Sequence, residues 1–372
     1  MYLYGMVWNG VIGQSRLIKQ LEYLITSDTI PHAQLISGAP GYGTLALALA
    51  FSEKIVTAKK ENRTALHPHY YDPDLHFVYP VVKRGNEKNV FSSDYSAEWH
   101  AFIAASSYVS YNDWFTAISV GNKQGLINVA EIEKLHQKMH LKAFSGNNKV
   151  CVIWGAEKMN SSASNAFLKL LEEPPKKTYF ILIAEDVEEV LPTLISRCQH
   201  IALGPIDTAS LLEHFPGEAE HKTHWVTLAN GDYNRLNHLI NTPNKKDYER
   251  LLVLGLRTAF KARGNAKVVL DLMDWSQQLS TMGREDQKDF LAFGIQFFRD
   301  AFFLNYKLDS IVYYQSETDF DLNKFAPFVH ANNAKILIDL FEDSYRYIQR
   351  NGNAKMVFTE LSLQMTRLLN SA

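Results

Sequence analysis

A chain of 372 residues exceeds one ordinary core, because domains run to roughly 100–200 residues, so two or three compact units are expected. Hydrophobic residues at 46% and charged residues at 21% exclude a disordered chain, and a formal net charge of −2 excludes a generally basic nucleic-acid coat or a polybasic membrane anchor. Two cysteines, Cys151 and Cys198, exclude a disulfide framework and a four-cysteine zinc site, and they fit a reducing compartment. Met1–Gly10 lacks the basic-then-apolar pattern of a leader, and no apolar run of about 18 residues occurs, so a cytoplasmic location without a membrane span is expected.

Leu17, Leu21, Leu24 and Ile25 recur at helical spacing ahead of Pro31 and predict an amphipathic helix. Ala33–Ser37 then reads as a short strand, Gly38 to Gly43 as a loop, and the Ala- and Leu-rich run Leu45–Ile55 as a helix. Residues 62–125 are irregular, aromatic and turn-rich. They receive no element, and rings such as Tyr79, Trp99, Tyr108, Tyr111 and Trp114 are expected to fill a core. Asn128 with Glu131 three residues on forms a capping box for a helix carrying Ile132, Leu135 and Met139 on one face. The unbroken apolar run Val150–Trp154 predicts a strand covered on both faces. Ala163, Ala166, Phe167, Leu170 and Leu171 mark a helix that Pro174 and Pro175 end, since proline has no N–H to continue it. Tyr179–Ile183 is a further buried strand. This alternation over the first 200 residues predicts an open, mostly parallel α/β sheet.

Beyond Gly204-Pro205 the strand signal fades. Asp207 caps a helix with Leu211, Leu212 and Phe215, and a small helical module continues to residue 242. The polar stretch Asn241–Lys246 reads as a linker. Residues 248–372 carry repeated helical stripes, among them Leu251, Leu252 and Leu256, and Ile336, Leu337, Leu340 and Phe341, so an all-helical third unit is expected. The expected boundaries are therefore 1–204, 205–242 and 248–372.

Gly38-Ala39-Pro40-Gly41-Tyr42-Gly43-Thr44-Leu45 has the glycine spacing of a phosphate loop, between a strand and a helix as that motif requires. Such a loop needs a lysine on the phosphates and a Ser or Thr on magnesium, but Thr44 and Leu45 stand there. Gly38, Gly41 and Gly43 therefore read as a vestigial phosphate loop. The companion acidic motif is also missing: the next strand ends Ile153-Trp154-Gly155-Ala156-Glu157, with Glu157 expected to cap or face solvent. Ser196-Arg197-Cys198 keeps a cation where the chain's own site has decayed. Arg197 reads either as a surface ion-pair partner or as a guanidinium offered to a neighbouring subunit's phosphate. A rival constellation is His67, His69, Asp72, Asp74 and His76, whose mixed ligands suit a metal-dependent hydrolase, although Pro68 and Pro73 break the segment and no distant ligand set accompanies it.

Ile12-Gly13-Gln14, Pro31-His32-Ala33, Glu157-Lys158-Met159-Asn160, Leu170-Leu171-Glu172-Glu173-Pro174-Pro175 and Ser196-Arg197-Cys198, in that order and spacing, resemble the bacterial DNA polymerase III clamp-loader family, nearest its delta-prime branch. The resemblance implies an AAA+ P-loop-type parallel sheet domain, a small helical lid and an all-helical C-terminal collar that joins a five-subunit ring. It implies no intrinsic ATPase, no cofactor and no metal. Gamma/tau and delta subunits are the implied partners, with the β sliding clamp and primer–template DNA reached through the complex and Arg197 donated in trans as an arginine finger. Two departures stand out. Residues Thr57 to Tyr71 contain no cysteine, so the zinc module of many relatives is not implied, and Ala184 replaces a sensor Thr or Ser. Arg235 falls one place late for the lid's sensor arginine and is given no nucleotide role.

Overall fold

A computed structural model describes residues 8, 10–58, 71–82, 90–118, 125–144, 147–216, 222–241, 245–262, 266–308, 311–312, 314, 316, 318–350 and 352–370. Two compact units divide the chain, Met1–Ile240 and Asn241–Ala372. The first begins with α1 (Ser15–Thr26), β1 (Ala33–Ser37), α2 (Thr44–Thr57) and β2 (Leu75–Val78), followed by α3 (Ser96–Ala105), α4 (Tyr111–Ala117) and α5 (Val129–His140). It continues with β3 (Lys149–Trp154), α6 (Ser161–Glu172), β4 (Thr178–Ala184), α7 (Pro192–Ile195) and β5 (Gln199–Ala202), and closes with α8 (Thr208–Glu213), α9 (Lys222–Ala229) and α10 (Tyr233–Asn241).

The five strands pair in parallel in the order β2-β3-β4-β1-β5. This is the open parallel α/β sheet that the alternating pattern predicts, and its core sits on both faces. Along β3 and β4, Val150, Val152, Trp154, Ile181 and Ile183 belong to the core on the α1, α2 and α3 side. Cys151, Ile153, Phe180 and Leu182 belong to the core on the α5 and α6 side. Strict alternation of two apolar sets is what a strand with no solvated face requires. Since β1 lies between β4 and β5, the chain leaves its C-terminal end at the point where strand order reverses, the usual crevice of open α/β sheets.

Several local expectations gain detail. Asn128 Oδ1 accepts from Glu131 N–H at 2.9 Å, but the Glu131 carboxylate turns to Ser92, taking its N–H at 2.8 Å and its hydroxyl at 2.7 Å. Only half of the capping box forms, because the buried carboxylate satisfies the segment that precedes α3. At the other end of α5, the Lys149 ammonium donates to the carbonyls of Lys138, Met139 and Leu141, closing the helix with a cation as the dipole favours. The aromatic stretch holds α3 and α4, with Trp99 and Trp114 fully buried as expected of core rings, whereas Tyr71 is exposed. Lys245 and Lys246 belong to a helix rather than to a linker.

The second unit comprises α11 (Lys245–Lys261), α12 (Ala266–Ser280), α13 (Arg284–Asn305), α14 (Leu322–Phe325), α15 (Ala334–Gln349) and α16 (Ala354–Asn370), with no strand among the described residues. Its core is built on rings, including Phe290, Phe297, Phe298, Phe341 and Phe358. A β-carbon at Gly294 of α13 would lie 2.3 Å from the Phe341 ring of α15. Gly294→Ala should therefore destabilise the protein by about 1–3 kcal/mol through overpacking, despite the better helix propensity of alanine. Urea unfolding of the full chain measures this, and a stabilised variant would show that the two helices part freely.

Candidate phosphate loop and arginine motif

The glycine loop leaves β1 at the crevice and turns into α2, as a phosphate loop does, and side chains from elsewhere in the unit lie against its glycines. Gly43 adopts a left-handed φ of +92°, and a β-carbon there would lie 2.9 Å from the Tyr108 ring. The Tyr108 hydroxyl accepts the Ile12 N–H at 2.6 Å, and its ring meets Tyr233 edge to face at 4.9 Å. At Gly41 a β-carbon would lie 1.5 Å from Asp232 Oδ1. The loop thus faces a phenol and a carboxylate. Burial, with the Asp232 carboxylate nearby, raises the Tyr42 hydroxyl above its ordinary pKa.

The residues from α10 are fixed in turn by α4. Asp113 accepts from Asn234 Nδ2 at 3.0 Å and Ser110 N–H at 2.7 Å, and it faces His238 Nε2 at 3.4 Å. Burial pushes its carboxyl upward, but the hydrogen bonds from His238 and Ser110 outweigh it and hold the pKa at about 2. Arg235 donates its backbone N–H to Asp232 Oδ1 at 2.8 Å.

At the ends of β3 and β4 the side chains are packed inward. Trp154 is buried against Trp99 and Tyr111, at centroid distances of 5.3 and 4.7 Å. Glu157 neither caps nor faces solvent, contrary to the sequence expectation. The chain turns at Gly155 and brings its carboxylate inward, where Oε1 accepts from the Tyr111 hydroxyl at 2.9 Å and the Glu185 N–H at 2.8 Å. Its other oxygen is buried without a hydrogen bond. Ala184 closes β4 as a fully buried residue.

The arginine motif is far from this crevice. Ser196-Arg197-Cys198 joins α7 to β5 at the start of the strand, whereas the glycine loop follows the end of β1. With Gln34 opposite Gln199 and Ser37 opposite Ala202, roughly 13 Å of paired strand separates them. Arg197 is exposed and pairs with Glu172 at 2.7 Å, while Ser196 Oγ donates to the Thr193 carbonyl at 3.1 Å. Burial pushes the Cys198 thiol up to about 11, so it stays protonated and packs against the α6 side of the core.

Of the rival metal set, His67 and His69 lie outside the described residues. The rest serve the fold. Asp72 accepts from Asp74 N–H at 2.8 Å, Asp74 accepts from Phe144 N–H at 2.6 Å, and burial, with Lys138 and Lys149 nearby, pushes His76 down to about 3. Among the described residues no group of three or more His, Cys, Asp or Glu side chains is placed to hold a metal ion, and no helix is long and apolar enough to cross a membrane.

A family model described as DNA polymerase III, delta subunit, matches residues 13–207. A DNA polymerase III subunit delta' of Buchnera aphidicola subsp. Schizaphis graminum is 38% identical over 89 residues, covering 24% of this chain and 26% of the relative. The subunit delta' of Bacillus subtilis is 28% identical over 209 residues, covering 53% of this chain and 50% of the relative. The chain thus spans a quarter to a half of the length of these curated relatives. A solved gamma subunit-related DNA polymerase III protein from Thermotoga maritima aligns over 94% of this chain and 100% of its own, at 14% identity and a TM-score of 0.40.

The inward turn of Glu157 gives the crevice a pH signature. Burial raises its carboxyl above the ordinary 4.5 and outweighs the hydrogen bonds that favour the charged form. A raised carboxyl favours folding while protonated, so the wild type loses stability relative to Glu157→Gln as pH rises from about 4.5 through the folded pKa. Denaturation of both proteins between pH 4 and pH 8 should show the gap widening in favour of the variant; a gap independent of pH would show a solvated carboxylate.

Proposed function

This chain belongs to the DNA polymerase III delta subunit family, and we propose that it acts as a delta-prime-type clamp-loader subunit that hydrolyses no ATP itself and lends Arg197 to a neighbour's ATP site. It assembles with gamma/tau and delta subunits in the cytoplasm, and through that complex helps to load the β sliding clamp onto primed DNA. Residues 205–242 serve as the lid and residues 248–372 as the collar through which subunits join. Exposed Leu270, Met273, Ile336, Tyr347 and Met356 on the helices of the second unit support a collar role.

The observation that carries the proposal is the separation of parts. The guanidinium stands at the opposite end of the sheet from the chain's own glycine loop, so an anion it serves belongs to another molecule. Its planar fork suits a phosphoryl group whose charge spreads over three oxygens in the transition state, and no local base or metal ligand is required of this subunit. Tyr108 and Asp232 beside the loop, and Trp154 where an acid would bind magnesium, support the absence of turnover here. The metal-hydrolase alternative has no supporting geometry among the described residues.

Arg197→Ala should leave assembly with the ATPase subunits intact and lower turnover at the adjacent site by about 10³, the scale of arginine-finger losses. Clamp- and DNA-stimulated ATPase of the reconstituted complex, beside size-exclusion of the same sample, measures both; unchanged turnover would refute the finger. The chain alone should neither turn over ATP nor bind a fluorescent ATP analogue. Measurable hydrolysis abolished by Gly43→Ala would show a working loop instead.

A further inference from the structure

Arg197 is exposed, with 37% of its side chain accessible, yet its guanidinium is gripped at two points. Nη2 donates to Glu172 Oε1 at 2.7 Å, and Nη1 donates to the Thr193 carbonyl at 3.1 Å. The two acceptors come from separate elements. Glu172 is the last residue of α6, and Thr193 lies in α7; Phe167, Leu170 and Leu171 of α6 and Leu194 of α7 are buried in the same core. The carboxylate itself is in an adverse position, because the last turn of a helix carries partial negative charge and disfavours an acid there. With 52% of its side chain exposed, Glu172 has no burial to hold it in place. The cation it faces is what makes the position favourable.

We propose that Glu172 is the positioning residue for the arginine donated in trans; this deepens, and rests on, the reading of Arg197 as a finger. An arginine has five N–H donors in a rigid fork. The two grips commit one donor from each terminal nitrogen, so three remain for an incoming phosphate. A free arginine would have to be immobilised each time the neighbour's site closes, whereas one held between α6 and α7 is oriented before the encounter. Because the guanidinium meets charge that develops in the transition state, loss of the grip lowers kcat and leaves KM for ATP unchanged.

The test uses the full chain in the reconstituted clamp-loader complex, comparing wild type, Glu172→Gln, Glu172→Asp, Arg197→Ala and the double variant Glu172→Gln/Arg197→Ala. Glu172→Gln should lower kcat by about two- to fivefold, the range that an exposed ion pair supplies, with KM unchanged. Glu172→Asp should recover part of the loss, and Glu172→Gln should add nothing in the Arg197→Ala background. An equal loss in that background would show that Glu172 acts independently of the arginine and overturn the proposal. Higher kcat in Glu172→Gln would show a carboxylate competing with the phosphate and overturn it as well. If Arg197→Ala lowers turnover while Glu172→Gln does not, the positioning role fails and the finger stands. If Arg197→Ala itself has no effect, the finger reading fails first.

Discussion

Burial of both faces of β1, β3 and β4 is the constraint on which the first unit depends. Strands such as Val150–Trp154 have no solvated side, so each must be covered by helices above and below, and parallel pairing with intervening helices achieves that cover. Each fully buried aliphatic side chain contributes about 1.5–3 kcal/mol, which makes the strand centres intolerant of polar or charged chemistry. Reactive groups are consequently confined to the two ends of the sheet. The loop at one end and the arginine at the other are both expressions of that confinement.

At the C-terminal end of the sheet, aromatic rings pack into one group. Tyr79 stacks on Trp99 at 4.1 Å, Trp99 meets Trp114 at 5.4 Å and Trp154 at 5.3 Å, and Tyr111 reaches from the same group to Glu157. Each such ring pair adds about 0.5–1.5 kcal/mol beyond area burial. Within the aromatic stretch between β2 and α5, Tyr79 donates to the Ser92 carbonyl, Trp114 to the Pro80 carbonyl and Tyr111 to the Glu157 carboxylate.

The sheet strands and their helices were legible in the sequence because continuous apolar runs and i, i+3, i+4 stripes leave few alternatives. β2 and β5 were not: β2 is four residues inside the aromatic, turn-rich stretch, and Gln199-His200-Ile201-Ala202 is an edge strand with only Ile201 buried, so neither carries a periodicity. α3 and α4 carry no such signal because their rings pack in several directions rather than along one stripe. The glycine loop could be read as a loop, but the residues facing it could not: Gly43 with Tyr108, and Gly41 with Asp232, are joined by tertiary folding alone. Glu157 was misplaced for a related reason, as a carboxylate beyond a strand end reads as solvated until Tyr111 is brought to it. Arg197 was singled out by its motif, whereas its pairing with Glu172, which lies in another motif, required the geometry.

The way Tyr108 and Asp232 lie against the glycine loop ties that loop to the stability of the unit. Placing lysine and serine at Thr44 and Leu45 would leave both side chains where they are, because the phenol also holds the Ile12 backbone and the aspartate holds the entry to α10. Each obstructing group now has a second duty in the fold. The shape of this loop is therefore bound to the stability of the segments around it, since the same two side chains that lie against its glycines anchor the chain at Ile12 and at the start of α10.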